Sequence, residues 1–274
     1  MSVEYQLRSL LSNRTIWESL LESVSYIKKN RDIKPKAITD IHDAEIYRNT
    51  RSPDDSKEDV IVLKASVNID GGSMHGTTRF SLWPILFLIN ELPQKLRLKT
   101  TILAAVLLTC CEPNFHLMNS FVGSFLQQID GFMNQGMLFF DKLQRKSYRI
   151  FLKPIIFAVD TVARPILQAR KQYNAHHGCS WCYAFGEKIG SMRFFKKHGT
   201  PLRSQEVYLD DLKKRKHVKR GKNGEKVYRG VRGNSRIAEL LPDLDNIWGY
   251  PPEYMHGVCL GVSKQFWGFL NDSR

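Results

Sequence analysis

VIVLKASVNID, residues 60 to 70, is the segment from which we begin to predict the fold of this chain. Its β-branched residues partly alternate with other types, and Gly71 and Gly72 follow at once. This pattern is typical of a strand that runs into a tight turn. We therefore predict a strand over residues 60 to 70 that carries Asp70 at its end.

Outward from this strand, three more apolar segments predict the rest of a sheet. SLWPILFLINEL starts at Ser81 and TTILAAVLLTCC starts at Thr100, and together with the first strand they make a meander of three strands. FLKPIIFAVD, residues 151 to 160, is a nearly continuous apolar run, as expected of a buried central strand whose last residue, Asp160, emerges at an edge. Apolar residues at helical spacing predict a helix before this strand, and another helix begins near Arg164.

The regions that flank this core differ from it in character. Residues 1 to 58 combine a predicted helical hairpin with a charged segment, Asp40 to Asp59, that we interpret as a linker. We take residues 59 to 199 as the core. Residues 200 to 274 hold a polar, basic, loop-rich insertion, including KKRKHVKRGKNGEK at 213 to 226, and the start of a further helical segment.

The composition limits the classes of protein to which this chain can belong. The chain has 274 residues, 42% of them apolar, so it can bury a substantial core. It carries 41 Lys and Arg against 27 Asp and Glu, a net charge of +14, which makes nucleic acid the first partner to consider. Its apolar runs are shorter than the roughly 20 residues of a membrane span, and its N-terminus lacks the features of a secretory signal. Five cysteines are too few for a disulfide framework and indicate a reducing compartment.

Asp70 and Asp160 are candidate metal ligands, because neighbouring strands that end at one edge of a sheet bring such acids together. Mg²⁺ prefers oxygen ligands, and ions of this kind activate a water or a 3′-hydroxyl in phosphodiester chemistry. The alternative is structural. Asp70 then forms the turn before Gly71, and Asp160 caps the helix that starts at Thr161.

Cys179 and Cys182, in HHGCSWCYAFGE, have the C-x₂-C spacing of half a zinc site. His256 and Cys259, in EYMHGVCLG, have a workable spacing for the other half. A redox-active dithiol is the alternative, although this motif does not follow the strand that begins a thioredoxin-like unit.

The basic run that begins at residue 213 is typical of a nuclear-localisation signal or of a loop that contacts phosphates. A solvated loop that keeps the protein soluble is the alternative. The tryptophans lie in apolar surroundings, so we expect them in the core and not as platforms for stacked bases. The candidate phosphate-binding residues are Lys213, Lys214, Arg215, Lys216, Lys219 and Arg220.

Five segments in this order resemble the transposases of CACTA-type DNA elements: NIDGGSM, SLWPILFLINELPQKLR, FAVDTVARP, HHGCSWC and PPEYMHGVCLGV. The resemblance covers roughly residues 60 to 274, and its most specific parts are SLWPI with INELP, and YMHGVCLGV. These transposases are related to the catalytic subunit of the V(D)J recombinase. The resemblance implies an α/β fold with an RNase H-like mixed sheet, flanking helices and a nuclease site of three acids, the DDE/D triad.

The resemblance also implies roles for single residues. Asp70 matches the first acid and Asp160 the second, and both would bind catalytic Mg²⁺ or Mn²⁺. Cys179 and Cys182 match a zinc-binding cysteine pair, and Met255 with His256 matches the Met-His pair of the family. Cys259 is the candidate for the fourth ligand of this structural Zn²⁺, since the sequence departs from a histidine pair here.

The third acid is the largest departure from the family. The family places it on a helix beyond the Met-His motif, whereas only Asp272 follows His256 in this chain. Glu253 precedes the motif and is not assigned. We therefore interpret the sequence as C-terminally truncated or degenerate, and the resemblance leaves open whether this chain is a complete enzyme.

The implied function is metal-dependent cleavage and strand transfer of double-stranded DNA at transposon ends, in the nucleus. Synapsis of two DNA ends implies a homodimer, by analogy with the family alone. The alternative is a catalytically inactive, domesticated transposase that acts as a nuclear DNA-binding or interaction protein. Neither function involves a membrane.

Overall fold

A computed structural model of the protein shows a mixed α/β chain whose residues divide into two units. The structure describes residues 2–51, 57–73, 80–190, 192–195, 199–221 and 224–271. The first unit consists of residues 1–110 and 124–157, and the second consists of residues 111–123 and 158–274. The mixed α/β class agrees with the sequence prediction.

A six-stranded mixed sheet forms the centre of the first unit. Its strands are β1 (Val60–Ile69), β2 (Gly72–Ser73), β3 (Ser81–Ile89), β4 (Ile102–Thr109), β5 (Met137–Asp141) and β6 (Lys146–Phe157). β3 pairs antiparallel with β1 and with β4, which confirms the predicted three-strand meander. β1 pairs parallel with β6, and β6 forms an antiparallel hairpin with β5, a strand that the sequence analysis did not predict.

The position of β1 explains its sequence. It lies between β3 and β6, and all but two of its ten side chains are buried. A strand that is covered on both faces has no solvent side, so its apolar residues need not alternate strictly with polar ones. Even Lys64 is only 4% exposed.

The predicted N-terminal helical hairpin is confirmed as α1 (Val3–Ser12) and α2 (Arg14–Asn30). The side-chain amide of Gln6 in α1 bonds the backbone of Leu103 in β4 in both directions, at 2.8 and 3.2 Å. Arg8, also in α1, donates to the carbonyl oxygen of Leu138 in β5 at 2.9 Å. Helix α1 therefore contacts both outer strands of the sheet and covers backbone groups that an exposed edge would leave open.

The segment predicted as a linker contains regular structure. Ile41–Asp43 is a 3₁₀-helix and α3 spans Glu45–Asn49. Tyr47 of α3 is 4% exposed and packs against Ile155 and Ile156 of β6. The charged composition of the segment gave no indication that Tyr47 is buried. The segment belongs to the first unit, and its residues 52–56 lie outside the described part of the chain.

The second unit is built from short elements around its own core. Tyr208, Val231 and Ile247 form a buried cluster, on which Trp181 and Leu212 pack. The region predicted as an exposed insertion therefore contributes to a core. No helix of the described residues is both long and apolar enough to span a membrane. The second unit also has a hairpin of β7 (Gly186–Ile189) and β8 (Met192–Phe195).

The two units contain further helices among the described residues. These are α4 (Gln94–Arg97), α5 (Phe115–Gln128), α6 (Asp130–Asn134), α7 (Ala163–Leu167), α8 (Gln205–Arg215), α9 (Arg236–Leu240), a π-helix (Met255–Ser263) and α10 (Lys264–Asn271).

Candidate functional site

The two predicted catalytic aspartates follow strands that are neighbours in the sheet. β1 and β6 run parallel, and Val67 lies opposite Phe157 in their register. Parallel neighbours end at the same edge of a sheet. Asp70 is the third residue after Val67, and Asp160 is the third residue after Phe157. Asp70 directly follows Ile69, the last residue of β1, whereas β6 ends at Phe157, so the prediction that Asp160 is the last residue of its strand is wrong.

The backbone at Asp70 is interrupted for a local reason. β1 and β2 pair with β3 in one continuous register, which sets Asp70 opposite Pro84 and Gly71 opposite Trp83. Proline has no N–H to donate, so the ladder is incomplete at this point. A Cβ atom on Gly71 would lie 2.3 Å from the indole ring of Trp83. Gly71 thus allows the indole to pack where the chain leaves the strand.

Asp160 has a structural role that the sequence analysis gave as the alternative. Its Oδ1 accepts hydrogen bonds from the backbone N–H groups of Val162 at 3.1 Å and Ala163 at 2.6 Å, at the start of α7. Both bonds use one carboxylate oxygen, and a carboxylate has a second oxygen with its own lone pairs. Burial lowers the pKa of the nearby Arg164, and the charge of Asp160 acts against that shift. Capping and metal binding are therefore compatible at Asp160.

Cys179 and Cys182 are brought together by a loop that two buried arginines support. Arg170 donates to the carbonyl oxygens of Cys179 at 2.8 Å and Ser180 at 3.0 Å. Nε of Arg203 donates to the carbonyl oxygen of Cys182 at 2.9 Å. Burial raises the pKa of the Cys182 thiol, and the adjacent Cys179 thiol adds to this effect. The burial of these arginines was not predictable from the sequence, because arginine is usually exposed.

The second half of the predicted zinc site does not join the cysteine pair. Among the residues that the structure describes, no three His, Cys, Asp or Glu side chains are grouped so as to hold a metal ion. Nδ1 of His256 instead lies 2.8 Å from the carboxylate of Glu253, and Cys259 is exposed. Asp272 lies outside the described residues. The pairing of Cys179 with Cys182 is thus present in the described residues, whereas the predicted contribution of His256 and Cys259 is not.

The basic run divides into residues with different partners. Arg215, at the end of α8, donates to the carbonyl oxygens of Lys226 at 3.3 Å and Arg232 at 3.0 Å, so it ties this region together. Lys214 forms an ion pair with Asp210 at 2.6 Å. Arg220 donates to the carbonyl oxygen of Gly224 at 3.0 Å. The remaining predicted phosphate-binding residues, Lys213, Lys216 and Lys219, are exposed.

The candidate residues are therefore two acids that follow β1 and β6, a cysteine pair in one loop, and lysines at the basic end of α8. No model of a known protein family matches the chain, and no curated protein matches it. Its residues and their geometry are the basis for a functional assignment.

Proposed function

We propose that this protein derives from a transposase and cleaves DNA in a metal-dependent reaction at a site that contains Asp70 and Asp160. The observation that carries the proposal is the parallel pairing of β1 with β6, in which Val67 lies opposite Phe157. The chain continues for three residues from each of these positions to an aspartate. Mg²⁺ and Mn²⁺ prefer oxygen ligands, and the two carboxylates would supply them.

The residues around the two acids support this role. Gly71 and Trp83 define the backbone next to Asp70, and the cap of α7 fixes the orientation of the Asp160 carboxylate. A bound divalent ion would supply activation of the attacking water and stabilisation of the leaving oxygen. The two carboxylates would supply the negative charge that holds the ion.

DNA binding is the second part of the proposal. The net charge of +14 favours binding of a polyanion such as DNA, whatever the DNA sequence. Lys213 and Lys216 are exposed at the end of α8, where lysine side chains reach phosphates without fixed geometry. We expect these residues, and not Arg215, to contact the DNA backbone.

Isothermal titration with Mn²⁺ tests the metal site. Wild type should bind Mn²⁺ weakly, and both Asp70→Asn and Asp160→Asn should abolish the binding, because each removes one of two negative ligands. Asp130→Asn is the control, since Asp130 is exposed in α6 and accepts a hydrogen bond only from Asn134 among the contacts described, at 2.9 Å. Equal heats for wild type and Asp70→Asn would remove Asp70 from the site.

A catalytically inactive DNA-binding protein is the second candidate function. The observation that favours it is the absence, among the described residues, of a third acidic or other ligand near either aspartate that would complete a metal-binding group. Measurements of DNA binding, Mn²⁺ binding and DNA cleavage together distinguish the two functions. Tight duplex binding with no Mn²⁺ binding supports the inactive protein, whereas nicking of plasmid DNA that needs Mn²⁺ and both aspartates supports the nuclease.

A further inference from the structure

Arg164, in α7, carries a buried guanidinium for which the described residues provide no hydrogen-bond acceptor. The residue is 4% exposed. Its Nε is fully buried and has no partner in the described part of the chain, and its Nη atoms take part in none of the described hydrogen bonds or ion pairs. An arginine side chain stays protonated in proteins, so the positive charge persists. Burial of an unpaired charge is unfavourable, and a bound anion would offset this cost.

Two other arginines of the second unit are equally buried but have partners. Arg170 donates to the carbonyl oxygen of Cys179 at 2.8 Å, and Nε of Arg203 donates to that of Cys182 at 2.9 Å. These hydrogen bonds hold the cysteine loop, which is a structural role. Arg164 makes no such bond among the contacts described for this unit, so its burial needs another explanation.

The guanidinium of Arg164 lies close to the surface of the second unit. Its Cζ is 4.2 Å from the ring centroid of Trp181, and Nε1 of Trp181 donates to the carbonyl oxygen of Tyr250 at 3.2 Å, which fixes the indole. Trp181, Cys179 and Asp160 are half-buried, so each reaches solvent. The Nη atoms of Arg164 are not among the fully buried polar atoms without a partner, unlike Nε. A ligand from solvent can therefore contact the Nη groups while the indole supports the guanidinium.

Asp160 lies one helical turn before Arg164. The backbone N–H of Arg164 donates to the carbonyl oxygen of Asp160 at 3.1 Å. Burial lowers the pKa of Arg164, and the charge of the Asp160 carboxylate opposes this shift, so the carboxylate is near the guanidinium although the two form no described ion pair. An anion at the Nη groups would therefore lie beside a proposed metal ligand.

We propose that Arg164 binds an oxygen of a DNA phosphodiester beside the Asp160 carboxylate. A planar guanidinium matches phosphate oxygens, and its bonds to them are assisted by charge. A divalent ion at Asp160 would offset the repulsion between this carboxylate and the phosphate. The role of Arg164 in cleavage rests on the proposed function, whereas phosphate binding by Arg164 does not.

NMR spectroscopy without added divalent metal tests the binding step. The chain has five tryptophans and hence five indole N–H resonances, and Trp181→Phe assigns that of Trp181. Dimethyl phosphate, at constant ionic strength, should shift this resonance weakly but saturably in wild type and not in Arg164→Gln. Arg14→Gln is the control and should behave as wild type, since Arg14 is exposed on α2 and pairs with Glu18 at 2.8 Å. No saturable shift, or equal shifts in wild type and Arg164→Gln, would overturn the proposal.

Two further arms identify the ligand and the neighbouring charge. Asp160→Asn keeps the cap of α7 but removes a negative charge, so it should bind dimethyl phosphate more tightly than wild type does. Weaker binding by this variant would contradict the placement of the phosphate beside Asp160. Saturation by inorganic phosphate but not by dimethyl phosphate would assign a free phosphate and overturn the assignment to DNA.

A stability measurement separates this role from a structural one. Arg164→Met removes a buried charge without a hydrogen-bonded partner and keeps an apolar side chain on Trp181, so the urea midpoint of unfolding should stay or rise. Arg170→Met is the matched control and should lower the midpoint, because the carbonyl oxygen of Cys179 loses its donor. A midpoint that falls as far in Arg164→Met as in Arg170→Met would make Arg164 a structural arginine and overturn the proposal.

Plasmid nicking with Mn²⁺ connects Arg164 with the proposed function. Arg164→Gln should nick DNA about ten-fold or more slowly than wild type, as expected when a donor to the reacting phosphate is lost. Its affinity for duplex DNA should stay within about two-fold, since one phosphate contact among many is removed. Equal nicking rates in the two proteins would overturn the role of Arg164. If wild type does not nick DNA, the proposed nuclease fails, whereas a shift of Trp181 that needs Arg164 still supports the phosphate site.

Discussion

Asp160 accepts structural hydrogen bonds and is also a proposed metal ligand. Its Oδ1 caps α7 through two backbone N–H groups, and the proposed metal site needs the negative charge of the same carboxylate. The two tasks are separable, because asparagine caps a helix about as well as aspartate does but carries no charge.

Asp160→Asn should therefore leave the free energy of unfolding nearly unchanged, whereas Asp160→Ala should lower it by about 1 kcal/mol through loss of the cap. Urea denaturation followed by circular dichroism measures both. Equal destabilisation by the two variants would show that the charge of Asp160, and not its hydrogen bonding, stabilises the fold.

Gly71 is expected to be intolerant of a side chain. A Cβ at this position would lie 2.3 Å from the buried indole of Trp83, so Gly71→Ala should destabilise the protein by about 1–3 kcal/mol, as overpacking does. Gly72→Ala is the control, since a Cβ there meets nothing within 4 Å. Equal unfolding midpoints for the two variants in urea would contradict this account of the turn.

Glu91 should make stability depend on pH. Burial raises its pKa from 4.5 to about 7 in the folded protein. The folded state therefore keeps a proton that the unfolded state releases, and the stabilisation, fully present below about pH 4.5, is lost as pH rises through about 7. Glu91→Gln should lose less stability than wild type between these pH values in urea melts. A larger loss in the variant would contradict the assignment.

At the scale of elements, the sequence predicted those that its local pattern determines. The strand over residues 60–70 and the N-terminal hairpin were found, because length and apolar spacing are sufficient there. β5, with the sequence MLFFD, was missed because its five residues show no alternation and its pairing with β6 depends on the turn between them. The role of Tyr47 was missed because its apolar partners come from a strand about 100 residues later.

The candidate site divides in the same way. The position of Asp70 after the end of β1 was predictable from an apolar run that stops at an acid, whereas β6 ends at Phe157 and not at Asp160 as predicted. The support of the Cys179 loop by Arg170 was not, because hydrogen bonds to carbonyl oxygens across a fold leave no mark in the local sequence.

The cysteine loop gives a prediction at the scale of this element. The zinc interpretation predicts about one zinc per chain in protein purified under reducing conditions. It requires two ligands besides Cys179 and Cys182, since no described His, Cys, Asp or Glu completes a group of three with them. Cys179→Ser should lose the metal, and Cys110→Ser, which changes an exposed cysteine outside the loop, should keep it. Elemental analysis that finds no zinc in wild type would favour a dithiol without metal.

At the scale of the whole molecule, the net charge of +14 should dominate DNA binding. Affinity for a duplex, measured by fluorescence anisotropy, should fall by orders of magnitude between about 50 and 200 mM salt as phosphate contacts release counterions. Replacing both Lys213 and Lys216 with Gln should reduce the slope of log affinity against log salt concentration by about one unit per lost contact. Lys29→Gln is the control and should leave this slope unchanged, since Lys29 is an exposed lysine of α2, away from the end of α8 in sequence. An affinity that does not change with salt would contradict an electrostatic interface.

In the proposed function, Asp70 and Asp160 bind the same divalent ion. Crystals grown with Mn²⁺ and measured at the manganese absorption edge test it most directly. We predict a single anomalous peak that lies at coordination distance, roughly 2 Å, from one carboxylate oxygen of each aspartate. A peak that touches only one of them, or no peak in this region while Mn²⁺ saturates the solution, would contradict the account.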